Sequence, residues 1–171
     1  RTARVSAVGD LVPLDEQDRG AWDARLIAEG HGLVRERLAA AAAAAGVAPG
    51  RYQILAAINA VHTSVRDIRD TDWSQVVALY DQLVRVDPSP IVALNRAIAL
   101  AELDGPEVAL IAVDRLGDAL AGYRPYHVTR ADLLRRLGRG RESRAAYDRA
   151  IELPGNAAET VYLTRRRDQL R

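Results

Sequence analysis

The chain has 171 residues and a formal net charge of +1 at neutral pH, and it contains no Cys. The lack of Cys excludes a disulfide framework and a thiolate metal site, and the small net charge argues against general attraction to nucleic acid. No apolar run approaches the roughly 18 residues of a membrane-spanning helix, and the start lacks a signal-peptide pattern, so we expect a cytoplasmic protein without a membrane partner.

The composition predicts an all-α fold. Ala supplies 31 residues, and Phe is absent. Ala has the highest helix propensity and a small volume, which favours closely packed helices. Long alternations of β-branched residues flanked by turn residues are missing, which argues against strands.

The start of the chain lacks helical periodicity. We predict that residues 1–16 form an N-terminal arm or linker and that residues 17–171 form one helical domain. The charged and aromatic residues Asp18-Arg19 and Trp22-Asp23 follow the arm. They predict either a network that locks the arm onto the helices or a contact with an upstream domain.

Apolar residues at helical spacing, together with capping residues and helix-ending Gly or Pro, predict a series of short helices. In chain order, we place these helices at about Asp15 or Asp18 to 28, 33–45, 51–65, 72–86, 91–103, 106–116, 123–137, 140–153 and 157–170. The segment Gly30-His31-Gly32 is expected to separate the first two. The third is expected to bury a stripe of apolar side chains, namely Tyr52, Leu55, Ile58 and Val61.

The most informative stretch is residues 138–153. A glycine turn precedes a helix with small residues at Ser143, Ala146 and Ala150 and an aromatic at Tyr147. This stretch resembles the turn and second helix of a tetratricopeptide repeat, and a similar turn at Asp104-Gly105-Pro106 lies 33 residues earlier. Repeats of about 34 residues are typical of helical arrays.

We therefore expect a superhelical array of antiparallel helix pairs that is tetratricopeptide-like. The third and fourth, fifth and sixth, and seventh and eighth predicted helices form its pairs. Close packing of such pairs requires small buried residues, for which Ala97, Ala131 and Ala150 are candidates. Trp73, near a helix start, is interpreted as a core residue.

Several segments together resemble a more specific family. They are Tyr52–His62, Thr71-Asp72-Trp73, Leu79-Tyr80-Asp81, Asp87–Ala97, Asp104-Gly105-Pro106 and Arg130–Gly138. The chain is similar to the C-terminal extension of a group of extracytoplasmic-function RNA polymerase sigma factors, in which a tetratricopeptide-like domain follows two promoter-reading domains. The resemblance covers about residues 11–165, and Asp87–Ala97 is its most specific part.

The resemblance implies a regulatory protein-interaction domain that controls transcription initiation. Its expected partners are the sigma factor's own DNA-binding domains in the full-length protein, RNA polymerase or a regulatory protein. The chain lacks the helices that contact promoter DNA, so we expect no direct DNA binding. The alternative is a free-standing tetratricopeptide adaptor that binds a peptide or tail of another protein.

The sequence offers no catalytic or cofactor motif. No glycine-rich phosphate loop follows a predicted strand, and no Ser occupies a nucleophile-elbow setting. The three His residues, at positions 31, 62 and 127, lack the spacing of a metal site. We expect a protein that is not an enzyme and holds no cofactor or metal.

Two adjacent polar residues are candidates for partner binding. Asn95 and Arg96 lie on the first helix of a predicted pair, where side chains often face the concave groove. Asn can bond a peptide backbone, and Arg can clamp a carboxylate. The alternative is that Asn95 bonds a neighbouring helix or loop and Arg96 forms an ion pair between helices.

Further candidates extend this groove. Asn59 and His62 lie three residues apart on one helix face, and Tyr126 and His127 lie on a later helix. A single His on such a face is also consistent with a hydrogen-bonded structural residue.

The last part of the chain is basic. From Arg124 onward there are 12 Arg against 6 acidic residues. Arg135 belongs to a cluster that is a candidate for anionic partners, although interleaved acidic residues also fit a solvated helix face. We expect Arg165–Arg167 on the outer side of the last helix.

Overall fold

In a computed structural model of the protein, residues 12, 16–43 and 48–170 are described, without the side chains of residues 41–43. The described part is helical and contains no strand, which confirms the all-α prediction. Its helices are α1 (Ala24–Ala43), α2 (Arg51–Thr63), α3 (Trp73–Val86), α4 (Pro90–Leu103), α5 (Pro106–Asp114), α6 (Gly117–Leu120), α7 (Arg124–Arg136), α8 (Gly140–Glu152) and α9 (Ala157–Asp168). Most of the predicted arm, residues 1–16, lies outside the described residues.

Local side-chain chemistry fixes many of the helix ends. Asp72, Ser89 and Asn156 cap α3, α4 and α9, because each side chain accepts a hydrogen bond from the backbone N–H three residues further on. Gly105 and Gly138 have φ values of 95° and 72° in the turns before α5 and α8. Glycine adopts this left-handed region without the steric cost of a Cβ atom.

The predicted break at Gly30-His31-Gly32 is wrong. α1 runs without interruption from Ala24 to Ala43. A Gly inside a helix costs only about 1 kcal/mol relative to Ala, and tertiary contact offsets such a cost. Here the Nε2 atom of His31 lies 2.8 Å from the Thr63 hydroxyl at the end of α2, which ties the middle of α1 to its neighbour.

The sixth predicted helix was expected to reach residue 116, but α5 ends at Asp114, and the short helix α6 follows it. α6 buries Leu120 in the core. A Cβ atom built at Gly117 would lie only 3.2 Å from the Tyr126 hydroxyl. The glycine that starts α6 therefore leaves room for a side chain of α7.

Each of the longer helices packs against its neighbour along the chain, except that α5 packs against α7 across the short α6. Small residues lie at these contacts: Ala131 and Ala150 are fully buried and Ala97 is 1% exposed, as predicted. The buried Ser143 hydroxyl donates a 2.8 Å hydrogen bond to the carbonyl oxygen of Ala131, which joins α8 closely to α7.

The buried face of α2 differs from the predicted stripe. Tyr52 is 80% exposed, whereas the buried residues of this helix are Ile54, Ile58 and Val61. These three follow the helical spacing i, i+4, i+7, so they form one apolar stripe without the tyrosine. The Arg51 guanidinium lies 5.8 Å from the Tyr52 ring centroid on the outer side.

Candidate binding groove

A groove of about 620 Å³ crosses the helices. Its lining comes from α2, α3, α4, α7, α8 and α9, and from the turn that precedes α3. No single helix supplies more than a few of these side chains. The groove therefore exists only because the helices are stacked side by side.

Four Trp and Tyr side chains are among the residues that line the groove. Trp73 and Tyr80 come from α3, Tyr147 from α8 and Tyr162 from α9. Burial raises the pKa of Tyr80 and of Tyr147, so both hydroxyls stay neutral at physiological pH. Together the rings offer apolar contact area with hydroxyl and indole N–H groups at their edges.

Charged side chains border the rings, and most are paired. Arg135 bonds Asp132 on α7 at 2.6 Å, and that hydrogen bond raises the pKa of Arg135. Arg136 bonds Glu102 on α4 at 2.6 Å and also donates to the Ala101 carbonyl oxygen at 3.0 Å. The latter contacts join α7 to α4 along one wall of the groove.

Arg166 of α9 has a different environment. Its Nε atom donates to the Tyr162 hydroxyl at 2.9 Å, and its guanidinium lies 5.5 Å from the Tyr162 ring centroid. The nearest paired carboxylate is Glu16, with 3.8 Å between Oε1 and Nη2. Glu16 belongs to the segment that leads into the helical domain.

The same segment reaches α2. The Nη1 atom of Arg19 donates to the carbonyl oxygens of His62 at 2.7 Å and Val65 at 3.2 Å. Carbonyl groups at the end of a helix lack helical partners, so a buried guanidinium stabilises them. The Arg19 guanidinium also lies 5.0 Å from the Trp22 ring centroid. These contacts hold Arg19 against the end of α2, whereas a contact between this segment and an upstream domain stays a prediction.

His62 lies where this contact meets the groove. Its ring is half-buried and packs edge-on against Trp73, with 5.3 Å between the ring centroids. Burial lowers the pKa of His62, and the positive charge of Arg19 lowers it further. The buried Nδ1 atom has no hydrogen-bond partner among the described residues. His62 is therefore held in its neutral form.

Of the seven residues predicted to bind a partner, His62, Asn95 and Arg135 line the groove. Asn95 is exposed there on α4. Stacking of the helices brings these three together although they are far apart in the sequence.

The other four predicted residues, Asn59, Arg96, Tyr126 and His127, are not part of the lining. The Asn59 amide donates to a carbonyl oxygen of its own helix at 3.1 Å. Arg96 forms the ion pair between helices that was the alternative interpretation, with Asp81 of α3 at 2.6 Å. Tyr126 is buried, and the His127 ring contacts the Ala121 carbonyl oxygen at 2.8 Å.

Sequence reasoning missed several lining residues. Trp73 was interpreted as a core residue, and it does pack against the core, but it also lines the groove, as does Tyr147, which is 2% exposed. Arg166 was expected on the outer side of the last helix, yet it faces the groove, and Arg167 bonds Asp148 of α8 at 2.9 Å. The sequence shows where the aromatic residues lie along the chain, but which of them line the groove depends on how helices that are distant in the sequence pack together.

Among the residues whose positions are described, no group of three His, Asp or Glu side chains is arranged to hold a metal ion. In the same part of the chain, no helix has both the length and the apolar character needed to cross a membrane.

Comparison with known proteins adds two similarities. Residues 1–38 match a family of unknown function (DUF6596). Over 168 residues the chain is 42% identical to an uncharacterized protein of Rhizobium meliloti (strain 1021), and the alignment covers 98% of this chain. The chain spans only 38% of the length of that relative. The family match includes Glu16 and Arg19, the residues through which the entering segment contacts α9 and α2.

Proposed function

We propose that this chain is a regulatory protein-interaction domain of a sigma factor and that it controls transcription initiation by binding another polypeptide in the groove. In this proposal the pairs α2–α3, α4–α5 and α7–α8 form a tetratricopeptide-like superhelical array. The observation that carries the proposal is the groove itself, which is lined by six of the longer helices and contains aromatic and polar groups side by side.

The chemistry of the groove suits a polypeptide ligand. Trp73, Tyr80 and Tyr162 provide aromatic surface for apolar side chains, and aromatic and Arg residues dominate the energetics of many protein interfaces. Asn95 is exposed between them and can both donate to and accept from a peptide backbone. The combination favours binding of a polypeptide over catalysis.

The assignment to a sigma factor is supported by the sequence segments that resemble this family. The most specific segment, Asp87–Ala97, contains the Ser89 cap of α4 and the groove residue Asn95. Asp87 also bonds Arg51 at the start of α2, with 3.1 Å between Nε and Oδ2. The same segment thus positions two helices and contributes to the groove, so its sequence is constrained by both tasks.

The proposed partners are the DNA-binding domains of the same full-length protein, RNA polymerase or a regulatory protein. Most of the length of the Rhizobium meliloti relative lies outside the matched region. That length is compatible with additional domains, which the proposal requires. Under this proposal the chain acts in the cytoplasm by contact and performs no reaction of its own.

Binding measurements with a groove variant test the proposal. The immobilised chain is exposed to purified sigma DNA-binding domains and, separately, to core RNA polymerase. We expect Asn95→Trp to weaken binding about tenfold or more, because a bulky neutral side chain at this position blocks the groove, and the loss of one hot-spot contact costs about 2 kcal/mol.

Asn59→Trp is the matched control, because Asn59 is also an exposed helical asparagine but lies outside the groove. It is expected to leave binding unchanged. Retention of neither the sigma domains nor the polymerase would contradict the sigma assignment and favour the adaptor alternative. Equal loss in both variants would show that the groove is not the interface.

A further inference from the structure

One of the arginines that line the groove lacks a close carboxylate. Arg69, Arg135 and Arg136 each have a carboxylate oxygen at 2.6 Å. Arg166, in contrast, makes its short hydrogen bond to a neutral phenol, that of Tyr162, and its paired carboxylate is 3.8 Å away. Among these four residues, Arg166 is therefore the one whose charge is least compensated.

The carboxylate near Arg166 is held loosely. Its owner, Glu16, has a side chain that is 58% exposed, and 3.8 Å is long for a charge-assisted hydrogen bond. Exposed ion pairs of this kind contribute at most about 1 kcal/mol. An incoming carboxylate can replace Glu16 at little cost.

The residues around Arg166 favour binding of a negatively charged ligand group. We define the Arg166 corner as Arg135, Tyr147, Tyr162 and Arg166, which α7, α8 and α9 bring together at one end of the groove. The positive charge of Arg166 acts on Arg135, and both charges act on the Tyr147 hydroxyl. A carboxylate placed between the two guanidinium groups would relieve their mutual repulsion.

We propose that the Arg166 corner binds an acidic side chain from a partner polypeptide and that Glu16 occupies the same place when no partner is bound. The proposal rests on the function proposed above and specifies the chemistry of the ligand, namely a segment that alternates acidic and apolar residues. The groove lining contains four Arg against Glu102 and Asp132, so its charge is complementary to such a segment.

The groove also offers an apolar surface for the apolar residues of the ligand. Ile98 of α4 and Val128 of α7 line the groove together with Trp73 and Tyr80. A segment whose acidic residue bonds Arg166 can place an aliphatic neighbour on this surface. Acidic residues without apolar neighbours would lose that contact area and bind less tightly.

The proposal is tested by fluorescence anisotropy with two labelled synthetic peptides, one of alternating Glu and Leu and one of alternating Lys and Leu. We expect the Glu-Leu peptide to bind, with an affinity that falls as salt is added, and the Lys-Leu peptide to bind far more weakly. Equal binding of the two peptides would overturn the proposal.

Variants locate the contact. Arg166→Gln is expected to weaken binding of the Glu-Leu peptide about tenfold, the value of one charge-assisted hydrogen bond. Arg149→Gln is the matched control, because Arg149 is an arginine of α8 in the same basic region, is paired with Glu152 at 3.0 Å, and is not part of the groove lining. Equal effects of the two substitutions would overturn the proposal.

Removal of the Glu16 carboxylate gives an independent test, because Glu16 is not one of the residues that line the groove. Glu16→Gln is expected to tighten peptide binding about twofold to fivefold, because the competing exposed pair is lost. Glu29→Gln, an exposed position on α1, is expected to change nothing. Unchanged or weaker binding in Glu16→Gln would contradict the proposal that Glu16 and the ligand carboxylate occupy the same place.

The outcome also separates this inference from the proposed function. If the Glu-Leu peptide does not bind but sigma domains or polymerase are retained and Asn95→Trp releases them, only the acidic-ligand inference fails. If the peptide binds but neither partner is retained, the sigma assignment fails and the ligand chemistry stands.

Discussion

At the scale of single residues, the side chain of Arg124 determines which residue can be accommodated at position 155. Arg124, in the first turn of α7, is only 5% exposed. Its Nη2 atom donates to the Thr160 hydroxyl of α9 at 2.8 Å, and Glu159 lies 3.7 Å from Nη1. A Cβ atom built at Gly155 would lie 1.3 Å from Nη1 of Arg124. Only glycine fits beside the guanidinium.

Gly155→Ala is therefore expected to destabilise the protein by about 1–3 kcal/mol, because Arg124 must move and lose its buried hydrogen bond. The free energy of unfolding from urea titration measures the effect. Gly122→Ala is the control, since nothing lies within 4 Å of its added methyl group and its φ is not positive. We expect that variant to be neutral or slightly more stable. Similar stability of the two variants would contradict the close approach of Arg124.

The neutral state of His62 has a consequence for stability. Because burial and Arg19 lower its pKa in the folded protein below 6.5, the unfolded chain binds the proton more readily. The contribution of His62 is complete above about pH 6.5 and is lost as the pH falls from there through the lower folded pKa.

Urea titrations at about pH 7.5 and about pH 5.5 measure this loss. His62→Gln should show a smaller difference between the two pH values than the unaltered chain. His127→Gln is the control, because His127 bonds the Ala121 carbonyl oxygen away from Arg19. An identical pH dependence in all three proteins would contradict the assignment to His62.

At the scale of helices, the contact between α7 and α8 depends on small residues. Ala131 is fully buried, and its carbonyl oxygen accepts the Ser143 hydroxyl bond. Ala131→Leu is expected to overpack this contact and destabilise the protein by roughly 1–3 kcal/mol. Ala78→Leu, at an exposed position on α3, serves as the control and should leave the melting temperature nearly unchanged. An unaltered melting temperature in Ala131→Leu would contradict close packing at this position.

Helix identities and most helix ends could be predicted because their signals are local. Asp72 and Ser89 are capping residues in the sequence and cap α3 and α4 in the structure. The continuity of α1 could not be predicted, because it depends on the contact between His31 and Thr63, 32 residues apart in the sequence. The exposed face of Tyr52 was missed for a similar reason, since a tyrosine at a helix start fits either a core or a rim position.

The candidate site was harder to predict than the helices. Asn95 was predicted from its position on the first helix of a pair, and His62 from the helix face that it shares with Asn59; both line the groove. Tyr162 and Arg166 were missed, because their place in the groove depends on how α9 packs relative to helices that are far from it in the sequence. Packing angles between helices depend on the side chains of both partners, so no single segment predicts them.

At the scale of the whole molecule, contacts run mainly between successive helices. Arrays built in this way have stabilities that approximate a sum over neighbouring units. A chain that ends at residue 155 should therefore lose hydrogen-exchange protection in α7 and α8, which adjoin the missing α9, while α2–α4 keep theirs. Loss of protection in all helices together would instead indicate a single cooperative bundle, which would count against the tetratricopeptide-like array.

The segment around Glu16 and Arg19 meets both the first and the last helices that line the groove. A polypeptide joined to the domain through residues 1–15 is tethered close in sequence to the place proposed for the ligand. Tethering over so short a span gives an effective concentration on the order of millimolar. Even a ligand with a weak intrinsic affinity would then be bound most of the time. Dissociation constants measured on separated fragments would therefore underestimate the bound fraction in the tethered protein.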